Sequence, residues 1–396
     1  MTVDQEALVI TMIIFNVFPK FIPRTGGVQS SIIHLANAIA EVFPDIQHVL
    51  LTRREPGLKS YERIGALHVF RISPCLFSLS TRFIGFAWEK FINQVLFNWT
   101  SNIDVIGQLD WKRNENIIVC HDIKSMPLTI RLSKKLHCPW VLYLHGRIGT
   151  APGDVRINCI EQRLLLKTSL IMTNRIQAFN FLKRNFVLPI LLLPPYINTS
   201  WFRRPSRTFK VHRRLLFVGK LYHRKDPITP IIALYFIKKR IPDIELHIIG
   251  EGPLKKSLIE LTKKLNLIDN VFFHGETLDV RYHLWQSDIF LATSPYTNYP
   301  SQALLEAMSA GLAIVATDVG YTHLLVKHRE NGLLVPPKDP LRLANTIIML
   351  YSNPDLLKML ARNAEVFARN FDIYNFSKTY VRILNTVLDK SLECHV

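Results

Sequence analysis

Along most of the chain, short runs of apolar residues alternate with longer stretches in which apolar positions recur every three or four residues. The short runs read as buried strands and the longer ones as helices with one apolar stripe, the pattern of parallel strands joined by crossover helices. In the first half the expected strands are 7–15, 48–52, 67–72, 117–120, 140–144 and 170–173. Between the first two, Val28, Ile32, Leu35, Ile39 and Phe43 fall on one helical face. Regular structure stops after Leu193, where Pro194 and Pro195 stand together and Pro205 follows. The alternation restarts with strands at 215–218, 245–249, 271–274, 289–292 and 313–316, each leading through a turn into a helix. A short strand at 332–335 and helices at 354–369 and 373–388 complete it.

The expectation is an α/β protein of two Rossmann-like, doubly wound parallel-sheet domains facing a central cleft. The domains are expected at 1–195 and 213–370, with a basic linker at 196–212 and a final helix at 371–396 turned back onto the first domain. A length of 396 residues suits two cores better than one or three.

Composition narrows this picture only slightly. With 48% apolar and 10% aromatic residues the chain lies far from disordered compositions. The formal net charge of +18 favours anionic partners such as nucleotides or acidic lipid headgroups, and part of it is local, in Arg203, Arg204, Arg207, Lys210, Arg213 and Arg214. Nothing besides that charge points to nucleic acid, so none is expected as a partner. Cys75, Cys120, Cys138, Cys159 and Cys394 have no paired metal-ligand spacing and suggest no disulfide framework, which fits a reducing, cytoplasmic setting. Residues 7–15 are too few to span a bilayer and follow acidic Asp4 and Glu6, so membrane contact is expected to be peripheral at most. The aromatic first half, including Phe83, Phe86, Trp88, Phe91, Phe97 and Trp99, suits such contact with a lipid-linked acceptor at an anionic membrane surface.

Ligands of open parallel sheets gather at the carboxyl ends of strands, so the turns there are where chemistry is sought. After Val218 comes Gly219, then Lys220, Arg224 and Lys225; after Ile249 comes Gly250-Glu251-Gly252-Pro253. After Ala292, residues 293–300 lead into a helix capped by Ser301, with Gln302 and Glu306 sharing a face away from Leu304, Leu305 and Met308. Glycines that admit an anion to the backbone, helix amino ends and nearby lysines are the parts of a diphosphate site. Each loop by itself is equally an ordinary strand-to-helix turn, and an acid on a helix face is usually only solvated. In the first half, Gly26-Gly27 precedes the first helix, and His121 and His145 directly follow strands. No Ser-His-Asp order, zinc-binding helix or GKS phosphate loop is present.

Several stretches together resemble the family-4 retaining glycosyltransferases of the GT-B fold, within the glycosyl transferases group 1. They are 26–29 (GGVQ), 218–221 (VGKL) with Lys225 beyond, 249–253 (IGEGP), 273–275 (FHG), 287–290 (SDIF), 304–311 (LLEAMSAG) and 315–320 (VATDVG). The resemblance implies an acceptor-binding first domain and a nucleotide-sugar-binding second one. It also implies transfer of a sugar from a nucleoside-diphosphate donor to an acceptor hydroxyl on a carbohydrate or lipid-linked sugar, with retention at the anomeric carbon. By matching position, Lys220 and Lys225 hold the diphosphate and Glu306 the ribose, with Gly27, Gly219, Gly250, Glu251, Ser301 and Gln302 completing the donor site. His145 and Asn298 take the catalytic positions, Asn298 standing where the family has a glutamate. Lysines that neutralise the diphosphate leave no need for a metal or other cofactor. A non-catalytic nucleotide-sugar binder and a sugar-nucleotide epimerase of the same fold are the alternatives.

Overall fold

The computed structural model describes residues 12–19, 21, 27–54, 57–72, 115–145, 157–205, 211–277 and 279–393. Residues 7–11 of the first expected strand, Gly26, Arg207, Lys210, Cys75, Cys394 and the aromatic stretch 83–99 lie outside them. The chain divides into two compact units, Met1–Pro194 with Tyr374–Val396, and Pro195–Ile373.

The first unit is built on eight strands: β1 (Met12–Val17), β2 (Gln47–Arg53), β3 (Tyr61–Ile64), β4 (Leu67–Ile72), β5 (Glu115–Cys120), β6 (Trp140–Leu144), β7 (Leu170–Thr173) and β8 (Ile190–Leu192). They lie in the order β3-β4-β2-β1-β5-β6-β7-β8, all parallel except β3, which runs antiparallel to β4. β1 is buried at every position, as a strand covered on both faces must be. One face carries Ile13, Phe15, Val49 and Ile118 against Leu128, Leu132 and Leu136 of α2 (Met126–Leu136). The other carries Leu50, Leu67 and Val69 against Ile32 and Ala36 of α1 (Gly27–Val42). β3 escapes a reading for apolar runs because its four residues alternate between exposed and half-buried.

The second unit has six parallel strands: β9 (Arg214–Val218), β10 (Glu245–Ile249), β11 (Val271–Gly275), β12 (Ile289–Ala292), β13 (Ala313–Thr317) and β14 (Leu333–Val335). Their order is β11-β10-β9-β12-β13-β14. The chain therefore winds outward one way from β9 and the other way from β12, so the topological switch lies between these two strands. Its core joins Leu215, Phe217, Leu246, Ile248, Ile289 and Val315 to Ile231, Leu234, Leu343 and Ile347 from flanking helices.

Three differences from the sequence reading follow. The first part of the expected basic linker is structured: Thr199–Phe202 form a short helix capped by Asn198, and the Trp285 indole donates to the Phe202 carbonyl at 2.9 Å. Three described cations there and just beyond have partners, Arg204 donating to the Ser287 carbonyl at 2.8 Å, Arg213 pairing with Asp243 and Arg214 with Glu245. Finally, the boundary near the carboxyl end falls between Ile373 and Tyr374, inside one helix, Ile373–Glu393. Among the described residues, no helix is long and apolar enough to cross a membrane, and Cys120, Cys138 and Cys159 are free thiols.

Candidate functional site

In the second unit the predicted residues collect at the switch between β9 and β12. Gly219 leaves β9, its amide donating to the Ile249 carbonyl, and the Leu221 amide donates to Glu251. The turns after β9 and β10 are thus laced together, which explains two of the glycines. A Cβ on Gly250, whose φ is +134°, would stand 2.0 Å from the Gly219 carbonyl oxygen, and one on Gly252 would stand 2.5 Å from that of Leu221. Gly219 differs: a Cβ there would meet nothing closer than the Lys225 side chain at 3.8 Å. Gly250 and Gly252 are needed by the fold, whereas Gly219 leaves open backbone beside the Lys225 stem. Lys220 is exposed, and Glu251, also exposed, is paired with Lys255 of the following helix.

The turn after β12 is pinned to the turn after β9. The Thr293 hydroxyl donates to the Asp226 carbonyl at 2.8 Å and the Ser294 hydroxyl to that of Arg224 at 2.9 Å. The chain then enters the helix Gln302–Ser309, with Ser301 as its N-cap accepting from the Leu304 amide. Leu304, Leu305 and Met308 are fully buried, which leaves Gln302 exposed and Glu306 half-buried on another face. The Glu306 carboxylate has no hydrogen-bond or ion-pair partner among the described residues, and burial pushes its pKa up to about 7. A shielded acceptor without a donor is costly, so this carboxylate is available to a ligand's hydroxyl groups.

Asn298, expected at a catalytic position, is held by the protein. It is 4% exposed, and its amide NH2 donates to the Ala292 carbonyl at 3.1 Å and to the Thr317 hydroxyl at 3.0 Å. Its backbone amide donates to the Thr322 hydroxyl at 3.1 Å. The side chain thus joins the ends of β12 and β13 through its NH2 group. Tyr296, 61% exposed, is the outward residue of this turn. The threonines that hold Asn298 carry no motif of their own.

The first unit brings together a separate group at its own switch, between β1 and β5. Asn16 of β1, His121 after β5 and His145 after β6 form a chain, Asn16 Oδ1 to His121 Nε2 at 2.9 Å and His121 Nδ1 to His145 Nε2 at 2.9 Å. The Asn16 NH2 contacts the Ile14 and Val49 carbonyls, so its oxygen faces His121. His121 then carries its proton on Nε2 and accepts at Nδ1 from His145, leaving His145 Nδ1 as an open acceptor. Burial, reinforced by nearby Arg175, lowers the His145 pKa to about 3, and burial with the His145 charge lowers that of His121. Both rings are therefore neutral at ordinary pH. Arg175 also donates to the His145 carbonyl at 3.3 Å. Asn16 and Arg175 were not foreseen, because only strand adjacency brings them to His121 and His145. Gly27 opens α1.

Comparison with known proteins agrees with this arrangement. Residues 201–367 match the family described as Glycosyl transferases group 1. That stretch of the second unit is similar to the group 1 glycosyltransferases. The chain is 28% identical over 174 residues to an uncharacterized glycosyltransferase of Haemophilus influenzae, a match covering 44% of this chain and about half, 49%, of that relative. It is 22% identical over 378 residues to the Campylobacter jejuni GalNAc-alpha-(1->4)-GalNAc-alpha-(1->3)-diNAcBac-PP-undecaprenol alpha-1,4-N-acetyl-D-galactosaminyltransferase, covering 92% of this chain and 96% of that one. Among solved structures, Anabaena HepE in complex with UDP superposes with a TM-score of 0.68 at 16% identity, over 95% of this chain and 100% of that one. That likeness establishes the fold, a two-sheet GT-B architecture.

Proposed function

We propose that this chain transfers a sugar from a nucleoside-diphosphate sugar to an acceptor hydroxyl, with retention of the anomeric configuration. The observation that carries the reading is Glu306: a shielded carboxylate without a partner among the described residues, one turn inside a helix that starts at the sheet's switch point. A carboxylate there accepts bonds from both hydroxyls of a ribose. Lys220 and Lys225, on the turn pinned beside it, neutralise the diphosphate, and Gly219 lets the phosphate oxygens approach the backbone.

In this reading the bond between the anomeric carbon and the diphosphate oxygen breaks first. Charge develops on the departing phosphate, where the lysines and the helix amino end stabilise it. The acceptor hydroxyl attacks from the same face and gives its proton to the leaving phosphate. In the first unit, His145 Nδ1, oriented through His121 and Asn16, is an acceptor suited to a sugar hydroxyl. The lysines supply the charge neutralisation that a divalent metal supplies in other transferases.

UDP in the Anabaena neighbour and the lipid-linked acceptor named for the Campylobacter relative make UDP-sugars the first donors to test and undecaprenyl-linked saccharides the first acceptors. The setting would be polysaccharide or glycolipid synthesis, with the chain working from the cytoplasmic side of a membrane. Calorimetric titration with a panel of UDP-, GDP- and ADP-sugars tests the donor site: Lys225→Ala and Glu306→Ala should each weaken binding at least about tenfold, about 1.4 kcal/mol. Unchanged affinity in both variants removes the site. Inverted configuration in the isolated product removes the retaining mechanism, and failure to sediment with anionic vesicles at low salt removes the membrane setting.

A further inference from the structure

Away from the switch point, the second unit gathers three histidines from three neighbouring elements: His247 in β10, His274 in β11 and His283 in the short helix Arg281–Trp285. His247 alternates along its strand with Leu246 and Ile248 of the core, so it projects from the opposite face. Each of the three rings offers a nitrogen, and these nitrogens all lie within 4.8 Å of one another. The closest pair is His247 Nδ1 and His274 Nε2 at 2.8 Å, and the His274 and His283 ring centroids are 4.3 Å apart.

A carboxylate orders this group. His247 Nε2 is 2.9 Å from Glu245 Oε2. A carboxylate can only accept, so the His247 proton lies on Nε2 and the lone pair of Nδ1 points at the other two rings. An imidazole held by an outer carboxylate, with its free nitrogen turned inward, is the arrangement of metal-ligating histidines. Arg214 pairs with the same Glu245 oxygen at 2.8 Å, offsetting the cation nearest the rings.

We propose that His247, His274 and His283 form a binding site for a divalent transition metal of borderline softness, of which zinc is the natural probe. Bonds of about 2.0–2.1 Å in a tetrahedral site put ligand nitrogens roughly 3.3–3.4 Å apart. The His247–His274 pair opens by about half an ångström from its hydrogen-bonded spacing, and His283 closes in. His274 is exposed and His283 half-exposed, so both have room to adjust and a fourth position remains for water. A trihistidine set suits zinc, nickel, cobalt or copper and not magnesium or calcium, which demand oxygen ligands. The bound ion would fasten the edge strand β11 to β10 and to the helix whose Trp285 holds the Phe202 carbonyl and whose Arg281 lies 3.8 Å over the Trp201 ring.

The experiment uses the untagged full-length chain, stripped with chelator and titrated with zinc alone. The expected result is one equivalent bound and a raised melting temperature, with no shift from magnesium. Cobalt should give the visible absorption of a four-coordinate ion. His274→Ala and His283→Ala, at accessible positions, should stay folded and each lose binding at least about tenfold, and Glu245→Gln should weaken it about 10–100-fold. Zinc uptake equal in wild type and in the His274→Ala/His283→Ala double variant, or no uptake by folded wild type, overturns the site. Because the readout is metal content and not sugar transfer, the outcome is independent of the donor-site reading.

Discussion

Glu306 shows how one side chain can store a cost that a ligand repays. Its carboxyl is raised to about 7 by burial, so the native state holds a proton that the unfolded chain releases in the ordinary glutamate range. Between about pH 4.5 and 7 the native state binds more protons. Stability therefore falls as pH rises through that window and levels off above it, by on the order of 3 kcal/mol at most. Thermal melts from pH 5 to 8 should show this decline in wild type and not in Glu306→Gln. Affinity for a nucleoside-diphosphate sugar should move the opposite way, rising toward pH 7 in wild type and staying flat and weak in Glu306→Gln. The glycines separate two roles in the same manner. Gly250→Ala drives a Cβ to 2.0 Å from the Gly219 carbonyl at a φ of +134°, so it should cost more than about 3 kcal/mol in chemical denaturation. Gly219→Ala meets only ordinary contacts. It should melt within a few degrees of wild type while losing donor affinity.

At the scale of elements, the turns after β9, β10 and β12 behave as one body. Backbone bonds lace the first two together, and the hydroxyls of Thr293 and Ser294 fasten the third to the first. Asn298 closes the outer end of this body by joining β12 to β13. Restoring a carboxylate with Asn298→Asp would remove both N–H donors and set an anion against the Ala292 carbonyl. The expected outcome is a loss of about 2–4 kcal/mol in stability with no gain in transfer rate, read by denaturant melts alongside product formation. A gain in rate at unchanged stability would show that Asn298 reaches the sugar after all. Spacing from Glu306 along the chain carries no information on which neighbours the Asn298 amide bonds.

At the scale of the molecule, the chain visits its first unit twice. Tyr374 lies 2.6 Å from Glu41, Tyr380 rests near Tyr143, and Val381, Leu384 and Leu388 are buried. Ending the chain at residue 372 should therefore destabilise the first unit by more than about 5 kcal/mol. Limited proteolysis should then cut within 12–194 while 195–372 stays protected; equal protection of both would contradict the division into units. The α/β class, the division into two units and all six strands of the second unit were legible from apolar runs, because a strand buried on both faces must be apolar throughout. The placement of Lys220 and Lys225 after β9 and the Ser301 cap were legible because they follow strand ends at short, local spacings. The Asn16–His121–His145 chain, the inward turn of Asn298, the pairing of the basic stretch and the three-histidine group were not. Their partners lie many residues apart in sequence, 105 between Asn16 and His121 and 27 between His247 and His274. Local sequence determined which elements form and which residues end them; sheet order determined which of those ends meet, since hydrogen-bonded strands bring distant residues within bonding distance and periodicity along a chain holds no record of that neighbour.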